Sequence, residues 1–246
     1  MKNNLLILTF LFTFPITSQA QDFSAFSQLL KLNLSEKIVP GGGYQTSFDY
    51  SKAKKSATST ELLNKQKDVL RKFDMKSLKD KKNATAFWIN SYNFFMIDII
   101  LSQGFEKEKL KINSVKDLGS FFSPYRIFKK EINEIGGKKM SLDSIEKGVL
   151  LGDNYKKMGW KDARIHFAVN CASVGCPPLI PVVYTAENLN TLLDSNIKKA
   201  LQTHRHFHTK DKVLHLTHLF KWYKKDFEEQ SGSIKSFLKK YITDPE

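Results

Sequence analysis

The sequence predicts a single domain of the α+β class, with helices packed around a small, mainly antiparallel sheet. Three stretches carry that prediction. Residues Ala84 to Gln103 place Phe87, Trp88, Phe94, Phe95, Ile97, Ile99, Ile100 and Leu101 around nearly the whole circumference of a helix, the pattern of a buried one. Arg164 to Asn170 alternates Ile165, Phe167 and Val169 with His166, Ala168 and Asn170, the period of a strand with one apolar face. Gly136-Gly137 separates two short extended runs and signals a hairpin turn.

Taken in order, Lys2, the apolar run Leu5 to Phe14, Pro15 and the small residues of Ser18-Gln19-Ala20 read as a secretory signal peptide, residues 1–20, cut near Ala20. The apolar run is too short to span a bilayer comfortably, no cysteine near the cut can carry a lipid, and no other segment reaches membrane-spanning length. An exported protein, periplasmic or extracellular, is therefore expected, with one domain over residues 21–246. Phe23, Phe26, Leu29, Leu30 and Leu34 space a helix from Gln21 to Lys37, stopped by Pro40 and Gly41-Gly42-Gly43, and Tyr44 to Tyr50 follows as an extended piece. Leu62, Leu63, Val69, Leu70 and Phe73 mark a second helix, capped by Ser59 or Thr60. Lys79 to Lys82 reads as a solvated turn before the buried helix, which Gly104 closes. Arg126 to Ile135 reads as a strand that turns at Gly136-Gly137 into Lys138 to Ser141. A helix capped by Ser141 or Asp143 then carries Leu142, Ile145, Val149 and Leu150. Thr185 caps a helix from Ala186 to about Gln202, a hairpin returns through Val213 to Leu216, and a last helix runs through Ile234, Phe237, Leu238 and Tyr241.

Hydrophobic residues at 41% with 12% aromatics argue against disorder. The formal charge of +14 could attract anionic partners, yet only Arg71, Arg126, Arg164 and Arg205 among the 39 basic residues are arginine. Planar bidentate recognition of phosphates and guanine edges usually relies on arginine, so a lysine-rich solvated surface is expected and no specific nucleic-acid partner.

The chemistry-bearing residues gather after the predicted strand. His166 and Asn170 share its polar face, Arg164 opens it, and both cysteines, Cys171 and Cys176, follow with Ser173, in a loop forced by Gly175 and Pro177-Pro178. Two arrangements are open for the sulfurs. A short disulfide would shape the rim of a pocket, contributing about 2 kcal/mol in the chain-entropy model. A thiolate at Cys171 activated by His166 would be a nucleophile, although a fully extended strand holds the two about 16 Å apart. Asn90 and Asn93 on the buried helix either bond to neighbouring backbone and pin the helix, the favoured reading, or line a pocket. Glu146 reads as a surface or capping carboxylate, with pocket lining as the alternative. His204, His206 and His208 share one strand face, but no carboxylate or cysteine accompanies them at a ligand-like spacing; neither a metal nor any other cofactor is expected.

Four motifs together resemble one family: Ala86-Phe87-Trp88-Ile89-Asn90-Ser91-Tyr92-Asn93; Ser141-Leu142-Asp143-Ser144-Ile145-Glu146; His166-Phe167-Ala168-Val169-Asn170-Cys171 with Ser173 and Cys176-Pro177-Pro178; and Trp222-Tyr223 with Asp226-Phe227. In that order, from about Phe48 to Tyr241, they look like the DUF547 family, which is named for having no assigned function. The resemblance implies an exported bacterial member. The chain departs from the family's pattern at Lys147 and Leu151, where the family tends to have histidine and arginine; if either took part in a reaction, this member is altered or inactive. The order of a buried helix followed by a histidine-bearing strand is similar to papain-like and transglutaminase-like folds, without a cysteine on the helix, and such architecture licenses no activity. The expected function is binding of a small molecule, glycan or peptide in a polar pocket lined by Arg164, Asn170, Ser173, Asn90, Asn93 and Glu146. A hydrolase or transferase using Cys171 and His166 is the alternative.

Overall fold

The computed structural model describes residues 21–39, 43–173 and 175–242. The expected signal peptide, residues 1–20, lies outside the described residues, as do Pro40, Gly41 and Gly42.

The fold is organised around α4, Lys81–Gln103, which starts where the sequence suggested a solvated turn because the Asp80 side chain accepts from the Asn83 N–H at 3.0 Å. From Ala84 to Leu101 every residue except Asp98 is buried, and Asp98 is paired with Lys67 at 3.0 Å. α1, Ser24–Asn33, and α3, Ala57–Arg71, pack on it through Phe23, Phe26 and Phe73, whose rings contact Phe87 and Phe94. α3 begins one turn earlier than expected, its cap being Ser56, which accepts from the Ser59 N–H at 3.1 Å. The short α2, Tyr50–Lys55, precedes it.

The β structure consists of separate two-stranded antiparallel hairpins among the described residues. β1, Leu34–Val39, pairs with β2, Gly43–Phe48, so strand pairing ends the first helix earlier than its apolar spacing suggests. β3, Phe105–Glu106, pairs with β4, Lys109–Leu110; β5, Asn133–Ile135, with β6, Lys138–Met140; and β7, Phe207–Lys210, with β8, Val213–Leu216. Gly136 and Gly137 turn the third hairpin with φ of 56° and 73°, a conformation that side chains disfavour. Arg126–Lys129, expected as strand, is a turn of 3₁₀ helix.

The largest correction concerns residues 164–170. They form no strand: Ala163–Phe167 is a 3₁₀ helix, capped by Asp162, which accepts from the Arg164 N–H at 2.9 Å. The alternation of residue types did not mark alternating exposure, since His166 and Ala168 are as buried as Ile165 and Phe167. The segment is held by buried carboxamides instead of a sheet. Asn93 donates to the Ala168 carbonyl at 2.9 Å and accepts from the Asn170 N–H at 2.8 Å. Asn90 grips both the N–H and the carbonyl of Tyr184, at 2.9 and 2.8 Å.

After α5, Asp153–Lys157, and the 3₁₀ helix comes α6, Leu189–Leu201. Its Asn196 donates to the carbonyls of Phe167 and of Pro178, the latter at 3.0 Å. Thr185 stands just ahead of α6, where its side chain and that of Asn188 bond each other's backbone N–H groups. The chain closes with α7, Leu219–Trp222, α8, Lys224–Ser231, and α9, Ile234–Leu238, which build a second apolar cluster of Phe220, Phe227, Phe237 and Leu238 against Phe167 and α6. Among the described residues no helix is long and apolar enough to cross a membrane.

Asn93→Ala is expected to cost about 2–4 kcal/mol in a urea titration, since it strands a buried carbonyl and N–H and leaves a void. Asn93→Asp, which can accept but not donate when ionised, should destabilise comparably despite its matching shape. Wild-type stability in both variants would show that the clamp is dispensable.

Candidate functional site

The site lies where the two apolar clusters meet. Glu146 comes from a π-helical segment, Ser144–Leu150, in which the Leu151 N–H reaches back five residues to the Glu146 carbonyl at 2.9 Å. Such wide turns recur at functional sites. Ser141 caps its entry by accepting from the Ser144 N–H at 3.0 Å. His166 comes from the 3₁₀ helix, Tyr223 and Asp226 from the junction of α7 with α8, and Tyr92 from α4.

His166 is 2% exposed. Its Nε2 lies 2.8 Å from Asp226 Oδ2, and its ring stacks on Tyr223 with centroids 3.7 Å apart. The Tyr223 hydroxyl donates to Glu146 Oε1 at 3.3 Å. On the far side Asp226 Oδ1 receives Lys161 Nζ at 2.6 Å, and Lys161 also reaches Glu229 at 3.1 Å. The hydrogen bond from His166, against an opposing effect of burial and with help from Lys161, lowers the Asp226 carboxyl to about 2. Burial pushes Glu146 the other way, above the usual carboxylate value, with the nearby His166 and Lys147 opposing the rise. Tyr92 and Tyr223 are held above the ordinary tyrosine value by burial and by Glu146. Two carboxyl groups near one imidazole are thus driven apart, a division of roles typical of functional sites. Because ionised Asp226 only accepts, His166 donates to it through the proton on Nε2. Nδ1 is buried and has no hydrogen-bond partner among the described residues.

These groups line a cavity of about 410 Å³ whose walls include Tyr92, Glu146, His166 and Tyr223 and whose rim includes Cys171, Cys176, Lys116 and Trp222. A larger and more open hollow of about 1040 Å³ beside α3, lined by residues such as Glu61, Lys65 and Asp68, holds no comparable cluster.

The sequence-derived candidates are divided by this geometry. Glu146, His166, Cys171 and Ser173 share the cavity. Cys171 is bonded to Cys176, so the sulfur pair is a disulfide and neither cysteine is a free thiol. Arg164 is elsewhere. On a strand it would share a face with His166, but on a 3₁₀ helix of three residues per turn positions two apart diverge by about 120°. It grips Asp162 with two nitrogens, Asp194 at 2.9 Å and Asn190 at 2.8 Å. Those bonds raise its pKa against the opposing effect of burial. Asn90 and Asn93 are spent on backbone. Asn170 closes the disulfide loop, accepting from the Ala172 N–H at 2.8 Å and donating to the Pro177 carbonyl at 2.7 Å. It faces a second hollow of about 550 Å³, with Ser173, Cys176 and Pro177 lining both.

The three spaced histidines do not share a strand face. His206 precedes β7 and is buried, and desolvation, with Arg205 adding to it, lowers its pKa to about 4. His204 stacks on His208, and His208 on its cross-strand partner His215, with centroids 3.9 and 4.6 Å apart and planes within 11° of parallel. Parallel rings do not converge on one point, and among the described residues no group of His, Cys, Asp or Glu side chains is placed to hold a metal ion.

Tyr223, Asp226 and Lys161 were missed as site residues. The Trp222-Tyr223 and Asp226-Phe227 pairs signal the first two through their place in the family motif, whereas Lys161 is one lysine among many.

The model of a family described as "Protein of unknown function, DUF547" matches residues 75–200, just over half of the chain. The chain belongs to the DUF547 family. No curated protein and no solved structure matches it. The DUF547 match contains Tyr92, Glu146, His166 and both cysteines, while Tyr223 and Asp226 come from beyond it. In this DUF547 chain the lysine standing where the resemblance expects histidine, Lys147, lines the cavity and pairs with Asp143 at 2.8 Å.

Two pH windows follow from the shifts. Asp226 is depressed in the fold, so its contribution is present above about pH 4 and drains away as pH falls through about 2. His206 is depressed too, but as a base that must stay neutral, so stability falls with acidification between about pH 6.5 and 4, where the unfolded chain takes up the proton first. Urea midpoints measured against pH should show Asp226→Asn flattening the lower window and His206→Gln the upper one. Unchanged slopes would refute these assignments.

Proposed function

We propose that the cavity binds a small polar ligand of the glycan or peptide class, with His166 and Glu146 as its hydrogen-bonding centre. The observation that carries this reading is His166 itself, whose Nε2 is anchored by Asp226 while its buried Nδ1 has no partner among the described residues. An orphaned buried ring nitrogen costs about 1–3 kcal/mol unless something satisfies it, and a ligand that parts the packing over it from the cavity and offers a hydrogen bond recovers that cost. Glu146 lines the same cavity, and burial shifts its carboxyl toward the protonated form. Trp222, largely exposed at the rim, offers a flat apolar face to a sugar ring or side chain. The polar groups are therefore set for a ligand that hydrogen-bonds through O–H or N–H groups.

A thiol-based reaction draws no support from this geometry, because Cys171 is held by Cys176. The disulfide fits an exported protein in an oxidising compartment, the setting the N-terminal residues suggest.

Glu146→Gln separates function from packing. A carboxyl with a raised pKa loses stability as pH climbs through its native value, so at neutral pH the amide should raise the urea midpoint. The same substitution, and Tyr223→Phe, should weaken ligand binding by roughly tenfold in calorimetric titrations with oligosaccharides and short peptides. If no such compound protects the wild type against unfolding, or if both variants bind as tightly, the cavity is not the binding site.

A further inference from the structure

Phe121 and Phe122 stand at the tip of a two-residue turn and are each 94% exposed, the highest values among the exposed large apolar side chains of the described residues. The turn is well built. The Ser120 N–H donates to the Ser123 carbonyl at 3.1 Å, and the Ser123 N–H returns to the Ser120 carbonyl at 3.0 Å and lies 3.2 Å from Ser120 Oγ. Gly119 sits beneath it, where a Cβ would come within 2.3 Å of the Pro124 carbonyl oxygen and 2.5 Å of that of Ser123. The two rings meet edge to face with centroids 5.4 Å apart. A single exposed apolar residue is ordinary, whereas two adjacent phenylalanines presented by a closed turn call for a partner.

The chain around the tip is cationic. Lys116, Arg126, Lys129 and Lys130 lie near it in sequence against Asp117 and Glu131, while Lys111 is already paired with Glu106 at 2.8 Å. The Asp117 carboxylate is engaged by the N–H groups of Asn113 and Ser114, while Lys116, Arg126 and Lys129 are exposed. We propose that this turn docks the protein on an anionic lipid bilayer, with the two phenyl rings entering the interface and the surrounding cations meeting the headgroups. Shape and charge select this occupant. A stable protein partner needs about 800 Å² of complementary surface on each side, and a tip of two rings flanked by exposed Ser120 and Ser123 offers little. A bilayer interface accepts such a wedge without a matching surface, and anionic headgroups complement the lysines. The inference stands independently of what the cavity binds.

Co-sedimentation of the full chain with vesicles of phosphatidylcholine, alone or mixed with phosphatidylglycerol, tests it. Binding is expected to the mixed vesicles and to weaken at high salt. The double substitution Phe121→Ser and Phe122→Ser should weaken it by roughly tenfold or more, and Arg126→Gln severalfold, with wild-type urea midpoints because these side chains are exposed. The wild type and its variants share one N-terminal segment, so any difference belongs to the turn. In a Phe121→Trp variant the new indole should shift its emission to the blue and be quenched by brominated lipid. Unquenched emission, or equal binding by the Phe121→Ser, Phe122→Ser chain, overturns the proposal. So does concentration-dependent self-association abolished by those two substitutions, which would assign the turn to a second copy of the chain.

Discussion

The structure depends on buried side-chain amides doing the work of a sheet. Among the described residues 167–173 and 175–184 there is no strand, yet many of them are buried, and every buried N–H and carbonyl needs a partner. Asn90 and Asn93 on α4 supply partners from one side and Asn196 on α6 from the other. A carboxamide carries an acceptor and two donor hydrogens in one plane, so Asn90 and Asn93 each pair with backbone N–H and carbonyl as a neighbouring strand would, while Asn196 donates to two carbonyls. The same device ties the first helix down: Gln66 accepts from the Phe26 N–H at 3.1 Å and donates to the Asp22 carbonyl at 2.9 Å. Apolar packing sets how close these elements lie, and the amides set their register.

That framework explains how a histidine is held at the seam between two apolar clusters. His166 follows an irregular path, fixed on one flank by Asn93 gripping Ala168 and Asn170 and on the other by Arg164 locked to Asp162 and Asp194. Arg164 is therefore part of the scaffold, while Asp226 and Tyr223 hold the imidazole itself. The carboxylate that anchors the ring is itself paired with Lys161, so a partly buried charged cluster has its charges matched. Glu146 stands in contrast. It takes a weak hydrogen bond from Tyr223, and burial disfavours its ionised form, so it costs stability where a neutral residue would not. Residues that detract from the fold while facing a cavity are candidates for function.

How much of this was legible in the sequence depended on the kind of signal. α4 was unmistakable because apolar residues surround it, and the Gly136-Gly137 hairpin because only particular residues make such turns. The favoured role of Asn90 and Asn93 as backbone partners followed from the cost of burying an amide. The 3₁₀ helix at His166 was not legible: alternation of residue types implies a strand only if exposure alternates too, and both neighbouring cores cover this segment. Reading it as a strand put Arg164 in the pocket and left Asp226 out. Contacts sixty residues apart, such as that between His166 and Asp226, leave no periodic trace, so the partners of the imidazole became visible only in three dimensions. Asn196 was equally silent, a polar residue in an amphipathic helix like many others.

The disulfide loop gives the region its last constraint. Cys171 to Pro178 is closed twice, by the sulfur bridge and by Asn170 bonding to Ala172 and Pro177, and it stands between the cavity of Glu146 and the hollow beneath His206. Ser173, Cys176 and Pro177 of this loop line both hollows. On the opposite rim, Lys116 and Lys129 line the cavity and also flank the turn that carries Phe121 and Phe122. One cationic edge therefore borders both the pocket and the aromatic tip. Whatever engages the tip therefore meets side chains that also line the cavity.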